Sequence, residues 1–345
     1  MQSKSSLPDF RSYGYDLKKL LGDGAYGRVF EAVKITTGSR VAIKLIQFEP
    51  VKGQMNGLSS TCMRELTCLK DMRYSDNIVQ MHETFMLVKS QTVAIVMELL
   101  PNDLSDYLKN FKFGLNNDEV RMIMFQICRG LSSMHRLNYV HRDIKLANIL
   151  IDPVDMLVKI ADFGLSRQSD APYVDLTNEI ETPHYRPLEV AMGSQEYTCS
   201  IDVWTLGIVF HELLTGKKPF DEVVIRTCPD ITLVFHLLKT FGTPTMREYP
   251  NFFNLKHYSP SFPRFRQVPL PEIFPKVKGE ALDLLGQMLV LNPANRITPM
   301  DALKHRYFEG VLEMLKLRQN SNNTYTRINE PTKCKNYSNT KFGNL

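Results

Sequence analysis

One stretch of the chain reads His141-Arg142-Asp143-Ile144-Lys145-Leu146-Ala147-Asn148, and Asp162-Phe163-Gly164 follows it. Two acids, an amide and a lysine gathered in this way suit the transfer of a phosphoryl group from a nucleotide to a hydroxyl. That reaction needs a carboxylate to take or orient the proton of the attacking hydroxyl, and Asp143 is the candidate. It needs hard oxygen ligands for a magnesium ion that keeps several waters, and Asn148 and Asp162 are the candidates. Lys145, two residues beyond Asp143, can neutralise the transferring γ-phosphate. The competing reading, ordinary polar loop residues, does not require both signatures in this order.

A second set of residues could hold the nucleotide. Gly22-Asp23-Gly24-Ala25-Tyr26-Gly27-Arg28-Val29 lies between Leu20-Leu21 and Phe30. Glycines there let backbone amides approach phosphate oxygens without a side-chain clash. A tight turn between strands, or a dinucleotide site, would show the same glycines. A dinucleotide site needs a helix directly afterwards, whereas Val29-Phe30-Glu31-Ala32-Val33 reads as strand. Val41-Ala42-Ile43-Lys44-Leu45-Ile46 has period-two geometry, with Val41, Ile43 and Leu45 on one face and Ala42, Lys44 and Ile46 on the other. Ala42 leaves room for a base while Lys44 reaches phosphate. A lysine in so apolar a strand needs an anionic partner, and Glu65 is the candidate.

These residues must be positioned by the rest of the chain. Residues 1–12 are polar and expected to be loose. From Tyr15 to Leu99 the pattern is mostly strand, with Val93-Ala94-Ile95-Val96-Met97 a further buried one. A helix between them has Ser59 or Ser60 as its cap and a stripe of Leu58, Cys62, Leu66, Leu69 and Met72, with Glu65 beside the stripe. After Asn102 the chain turns helical. One stripe is Val120, Ile123, Ile127, Leu131 and Met134, and another is Val203, Leu206, Val209, Phe210 and Leu213. Residues 217–275, rich in Pro and aromatics, read as an irregular insert, and helix returns from Ala281 to Phe308. Residues 309–345 are expected to be a disordered polar tail, because beyond about residue 318 few hydrophobics remain to offset the entropy of ordering.

Composition narrows the classes. The chain has 345 residues, 43% of them hydrophobic, and a net charge of +5. That length allows two modest lobes. No apolar run approaches the roughly 20 residues of a membrane helix. The first residues lack the apolar core of a secretory leader. The scattered cysteines Cys62, Cys68, Cys128, Cys199, Cys228 and Cys334 form no CxxC pair and read as free thiols of a reducing compartment. Cytoplasm and nucleus both fit. Much of the positive charge sits in the tail, at Lys316, Arg318, Arg327, Lys333, Lys335 and Lys341, without the dense aromatic-laced stripe of a direct nucleic-acid binder.

Together the motifs resemble those of eukaryotic protein kinases of the CMGC group, and most of all cyclin-dependent kinases. Ser59-Ser60-Thr61-Cys62-Met63-Arg64-Glu65 is similar to their PSTAIRE helix, Asp162-Phe163-Gly164-Leu165-Ser166-Arg167 to DFGLAR and Thr177-Asn178-Glu179-Ile180-Glu181-Thr182 to THEVVT. Leu99-Leu100-Pro101-Asn102-Asp103-Leu104 resembles the hinge, and Phe241-Gly242-Thr243-Pro244-Thr245 the GTPT that opens the insert. The resemblance implies an α+β, bilobal kinase fold over residues 13–308, with a β-rich N-lobe (13–99) carrying one key helix and a helical C-lobe (100–308). It implies a serine/threonine kinase using ATP and Mg2+, acting on protein substrates, with a Ser/Thr-Pro preference. Lys44 and Glu65 would join Asp143 and Lys145 as catalytic residues. The ATP cleft would be formed by Leu21, Gly22, Asp23, Gly24, Ala25, Tyr26, Gly27, Arg28, Val29, Ala42, Lys44, Met97, Glu98, Leu100 and Asp103, with Met97 as gatekeeper and Glu98 and Leu100 offering backbone groups to adenine. A cyclin-like subunit and an activating kinase are the implied partners. Phosphorylated Thr177 would pin Arg64, Arg142 and Arg167 together, and Tyr26 would be the inhibitory site. Asp202 resembles the acid that braces the catalytic loop, and Glu189 with Arg296 the buried ion pair of the large lobe.

The chain departs from that pattern in places. Pro187-Leu188-Glu189 stands where APE is usual, His184 replaces a Trp, and Glu181 replaces the second Val of VVT. These changes flank Thr182 and Arg186, where a substrate's residue after the acceptor would sit, so Glu181 could favour basic peptides. Ala25 lacks the hydroxyl many relatives carry beside Tyr26, and Leu146 replaces a Pro. A cyclin-independent kinase of the same group and a pseudokinase scaffold are the alternative readings; the intact Lys44, Glu65, Asp143, Lys145, Asn148 and Asp162 argue against the scaffold.

Overall fold

The structure, a computed structural model, describes residues 10–24, 27–48, 57–168, 185–194, 198–220 and 229–329. Ala25, Tyr26, Thr177, Glu181, Thr182 and His184 therefore lie outside the described residues. Strands β1 (Tyr15–Gly24), β2 (Gly27–Lys34), β3 (Arg40–Gln47), β4 (Met81–Leu87) and β5 (Thr92–Glu98) form an antiparallel sheet in the order β1-β2-β3-β5-β4. Side chains alternate across it as the period-two pattern requires. Val41, Ile43 and Leu45 pack on the outer face with Phe30, Ala32, Ala94 and Val96. Ala42 and Lys44 turn to the other face and line a cleft, and Ile46 joins the large core.

Phe10 corrects the expectation of a loose start. It caps the outer sheet face and is buried, and Arg11–Tyr13 form a 3-10 turn behind it. An apolar residue ahead of the first strand has a complete apolar face to cover. Gly27 is required by its surroundings: its φ is +130°, and a Cβ there would stand 2.4 Å from the Leu45 carbonyl oxygen. Gly22 and Gly24 have open space on the side where a Cβ would lie.

Helix α1 (Ser60–Asp71) is capped by Ser59, not Ser60: Ser59 Oγ accepts from Cys62 N at 3.1 Å. Cys62, Glu65, Cys68 and Leu69 form its buried stripe. The lobes are stitched at its far side, where Asn77 O accepts from Ile160 N (3.0 Å) and Val79 N donates to Ile160 O (2.9 Å).

Beyond the hinge, β6 (Asn102–Asp103) leads into α2 (Leu104–Leu108) and α3 (Asn117–Arg136), whose start is capped by the Asn116 side chain. Next come β7 (Tyr139–Val140), β8 (Ile149–Asp152), β9 (Leu157–Ile160) and β10 (Arg167–Gln168). Strands β6, β8 and β9 make one small sheet, and β7 pairs with β10. Helices α4 (Leu188–Ala191) and α5 (Ser200–Thr215) follow, α5 being buried on nearly every side. The expected irregular insert contains α6 (Pro229–Phe241), which buries Leu233, Val234, Leu237 and Leu238 in the core. The Pro-rich flanks hide a four-residue apolar stripe at helical spacing. Short α7 (Leu270–Ile273), α8 (Gly279–Met288) and α9 (Pro299–Ala302) complete the C-lobe.

The expected disordered tail begins instead as helix α10 (Val311–Asn329). Val311 and Leu315 bury against the C-lobe, and α10 packs on α3. Two anchoring residues one turn apart suffice to start a helix that the polar residues after Arg318 would not hold by themselves. Residues 330–345 lie outside the described residues. The four described cysteines, Cys62, Cys68, Cys128 and Cys199, are free thiols. Among the described residues no helix is long and apolar enough to cross a membrane.

Candidate active site

A cleft of about 540 Å³ separates the lobes, within the range of nucleotide-sized pockets. Leu21, Val29 and Ala42 line it from the sheet side, Leu150 and Ala161 from the C-lobe, and Met97, Glu98, Leu99 and Leu100 along the connecting strand. Gly22, Asp23, Gly24, Gly27 and Asp103 also line it. Arg28 does not. Strand alternation turns it to the outer face, where its guanidinium lies 5.8 Å from the Phe30 ring centroid. Lys19, Glu31, Arg40 and Asp106 at the cleft mouth were not expected. A charged residue carries no local signal of such a place, and only the pairing of β1, β2 and β3 brings Lys19 and Arg40 to Glu31.

The inner end of the cleft is charged. Lys44 Nζ donates to Glu65 Oε1 (2.7 Å) and Oε2 (2.9 Å) and to Asp162 Oδ1 (2.9 Å). Lys44 is 5% exposed and Glu65 1%. Burial would push the Lys44 ammonium down, but the two carboxylates outweigh it and raise its pKa above the ordinary lysine value. Burial likewise pushes the Asp162 carboxyl up, and Lys44 overcomes it, so Asp162 stays below the usual aspartate value. The triad is thus a fixed cation between two carboxylates, aimed into the cleft.

Across the cleft floor, Asp143 Oδ2 accepts from Lys145 Nζ (2.7 Å) and from Asn148 Nδ2 (2.7 Å). Asn148 Nδ2 also donates to the Asp143 carbonyl at 2.8 Å. Both bonds use the side-chain amide nitrogen and leave the side-chain oxygen Oδ1 of Asn148 as an acceptor for a cation. His141 ties the two motifs together. Its Nδ1 accepts from Asp143 N (3.2 Å), its Nε2 meets the Ala161 carbonyl (3.1 Å), and its ring packs edge-on against Phe163.

The loop is held under strain. Arg142 has φ +72° and Asp162 φ +63°, both in the left-handed region that non-glycine residues avoid. Asp202 is fully buried in α5 and supplies the restraint, accepting from His141 N (2.9 Å), Arg142 N (2.8 Å) and His135 Nε2 (2.8 Å). Burial pushes the Asp202 carboxyl up, but the His135 bond, both histidines and the Arg142 N–H hold it below the usual aspartate value. A lowered carboxyl contributes stability that is complete above its unfolded value, near about pH 4, and is lost as pH falls through the folded value. Melting temperature measured from about pH 5 down to about pH 3 is therefore expected to fall more steeply for the wild type than for Asp202→Asn. Parallel curves would contradict the restraint.

Of the three arginines expected to answer Thr177, Arg64 and Arg142 make side-chain bonds among the described residues, and Thr177 itself lies outside them. Arg142 Nη1 donates to the Leu165 carbonyl (3.4 Å), and Val140 pairs with Arg167 across β7 and β10. Arg64 turns back within α1, donating to the Ser60 carbonyl (2.9 Å) and Ser60 Oγ (2.6 Å). Arg186 lies in the described stretch 185–194 and is half-buried. Away from the cleft, Arg296 and Glu189 form the expected buried pair, Nη1 to Oε1 at 2.6 Å and Nη2 to Oε2 at 2.7 Å.

Residues 15–308 match the protein kinase domain family. The chain is 35% identical over 313 residues to "Cell division control protein 2 homolog 2" of Trypanosoma brucei brucei, covering 90% of this chain and 85% of that relative. It is 34% identical over 300 residues to "Cell division control protein 2 homolog 3" of the same organism, covering 86% and 93%. With the two-lobed fold and the motif geometry in place, these matches show that the chain belongs to the protein kinase family, on the cyclin-dependent-kinase side of it.

Proposed function

We propose that the protein is a serine/threonine kinase that uses ATP and Mg2+ and is brought to full activity by a cyclin-like subunit and by phosphorylation of Thr177. The observation that carries the reading is the closed Lys44–Glu65–Asp162 triad lining one cleft together with Asn148, whose side-chain amide bonds Asp143 beside Lys145.

The donor set fits the nucleotide and its metal. The apolar walls from Val29, Ala42 and Leu150 suit a base, and the Lys44 ammonium suits the α- and β-phosphates. Asn148 and Asp162 offer two oxygen ligands, the small number a magnesium ion takes when phosphates and waters complete its shell. When bound, magnesium neutralises charge developing on the phosphate oxygens. Asp143 accepts the proton of the acceptor hydroxyl as its oxygen bonds to the γ-phosphorus and the bond to the leaving diphosphate oxygen breaks. Lys145 places its cation beside that carboxylate and the transferring group. Glu65 holds Lys44 in place, and His141 and Asp202 fix the loop that aims Asp143.

Regulation follows from the same parts. Phosphate on Thr177 would supply the anion that Arg64, Arg142 and Arg167 answer. Thr177→Ala is expected to lower the partner-activated rate several-fold. A rate equal to that of fully phosphorylated wild type would remove the arginine-cluster argument. A cyclin-like subunit would seat on α1, where Met63 is 48% exposed while neighbouring Cys62 is buried. Adding a purified cyclin subunit is expected to raise the rate, and Met63→Glu is expected to abolish that gain. The Lys44–Glu65 pair, closed at 2.7 Å within the single chain, favours a second reading in which the kinase works without a cyclin. An unchanged rate on adding the subunit would select it.

A further inference from the structure

Asp71, the last residue of α1, accepts a hydrogen bond from the Tyr139 hydroxyl at 2.8 Å. Tyr139 lies in β7 and is buried. Strand β7 pairs with β10 through Tyr139 and Gln168 and through Val140 and Arg167. It then runs directly into His141, Arg142 and Asp143, whose backbone Asp202 restrains. At the other end of the bond, Asp71 stands six residues after Glu65, about 9 Å along the helix axis. One hydroxyl therefore joins the helix that carries Glu65 to the strand that delivers Asp143.

Packing does not ask for that hydroxyl. A phenylalanine would fill the same space without a polar atom to satisfy, whereas a buried tyrosine hydroxyl must find a partner. Burial, and then the Asp71 carboxylate, raise the Tyr139 pKa, so the group remains a donor throughout the physiological range. Cys68 and Leu69 bury the same end of α1 independently, so the helix stays docked without the bond. The hydroxyl sets where the helix end sits, not whether it packs.

We propose that Tyr139 is a positioning residue for phosphoryl transfer: its hydroxyl pins the C-terminal end of α1 to the catalytic-loop strand, so that Glu65 stays within reach of Lys44 while the N-terminal end of α1 answers a partner. The inference rests on the kinase reading above. It makes the Asp71 end the pivot of α1 and the Met63 end the lever.

The test compares wild type with Tyr139→Phe, Asp71→Ala, the double variant and Asp71→Asn, using radiolabelled ATP and a serine-containing protein substrate. Each of the first two is expected to lower kcat about tenfold with little change in KM for ATP, and Tyr139→Phe, which leaves no buried hydroxyl unpaired, is expected to keep a melting temperature close to wild type. The double variant is expected to be no slower than either single. Asp71→Asn keeps an acceptor oxygen and is expected to retain most of the rate. A Tyr139→Phe kcat within about twofold of wild type, or losses that multiply in the double variant, would overturn the proposal. If wild type transfers no phosphate, the kinase reading fails separately, and hydrogen exchange of the α1 amides decides the pin. Faster exchange in Tyr139→Phe would support it, and equal exchange would overturn it.

Discussion

Asp143→Asn is expected to lower phosphoryl transfer by about 10²–10⁴-fold while leaving nucleotide binding intact. The substitution keeps the shape of the side chain. It removes the negative charge that Lys145 answers at 2.7 Å and the acceptor that would take the hydroxyl proton. Lys44 and Asp162, proposed to hold the phosphates and their metal, bond to each other and not to Asp143, and an asparagine at 143 keeps an acceptor oxygen for the Asn148 amide. Binding measured by calorimetry should therefore be close to wild type while label transfer disappears. An unchanged transfer rate would overturn the role of Asp143. Loss of binding together with transfer would point to collapse of the loop instead.

Glu189→Ala is expected to destabilise the fold by about 3–5 kcal/mol, read as a large fall in the unfolding midpoint. Arg296 is fully enclosed. It donates to the Val290 (2.8 Å) and Ser200 (3.2 Å) carbonyls, and its guanidinium lies 5.0 Å from the Trp204 ring centroid. Without Glu189 its charge stays buried with no counter-charge at 2.6–2.7 Å. Replacing both partners, as Glu189→Met with Arg296→Met, is expected to cost less than the single change, because no orphaned charge is left. A double variant as unstable as the sum of two singles would show that the pair acts by more than mutual neutralisation.

What could be read from the sequence was whatever local chemistry dictates. Period two in Val41–Ile46 separated Ala42 and Lys44 from the outer face, and a buried lysine demanded a carboxylate that proved to be Glu65. Arg28 was misjudged although the same alternation, applied from Val29, would have placed it beside Phe30. The features that escaped depend on distant surfaces. Phe10 buries because the sheet has an uncovered outer face. Helix α6 forms inside a Pro-rich stretch because Leu233 and Leu237 meet a core built by α4 and α5. Helix α10 starts because Val311 and Leu315 find α3. The bond from Tyr139 to Asp71 spans residues far apart in the chain and had no local signature at all.

The most direct measurement incubates the purified chain, phosphorylated on Thr177 and loaded with a cyclin-like subunit, with γ-labelled ATP, magnesium and a protein substrate. The account predicts label on serine or threonine, dependent on magnesium and absent with Asp143→Asn. No label on any protein from the wild-type sample would contradict it.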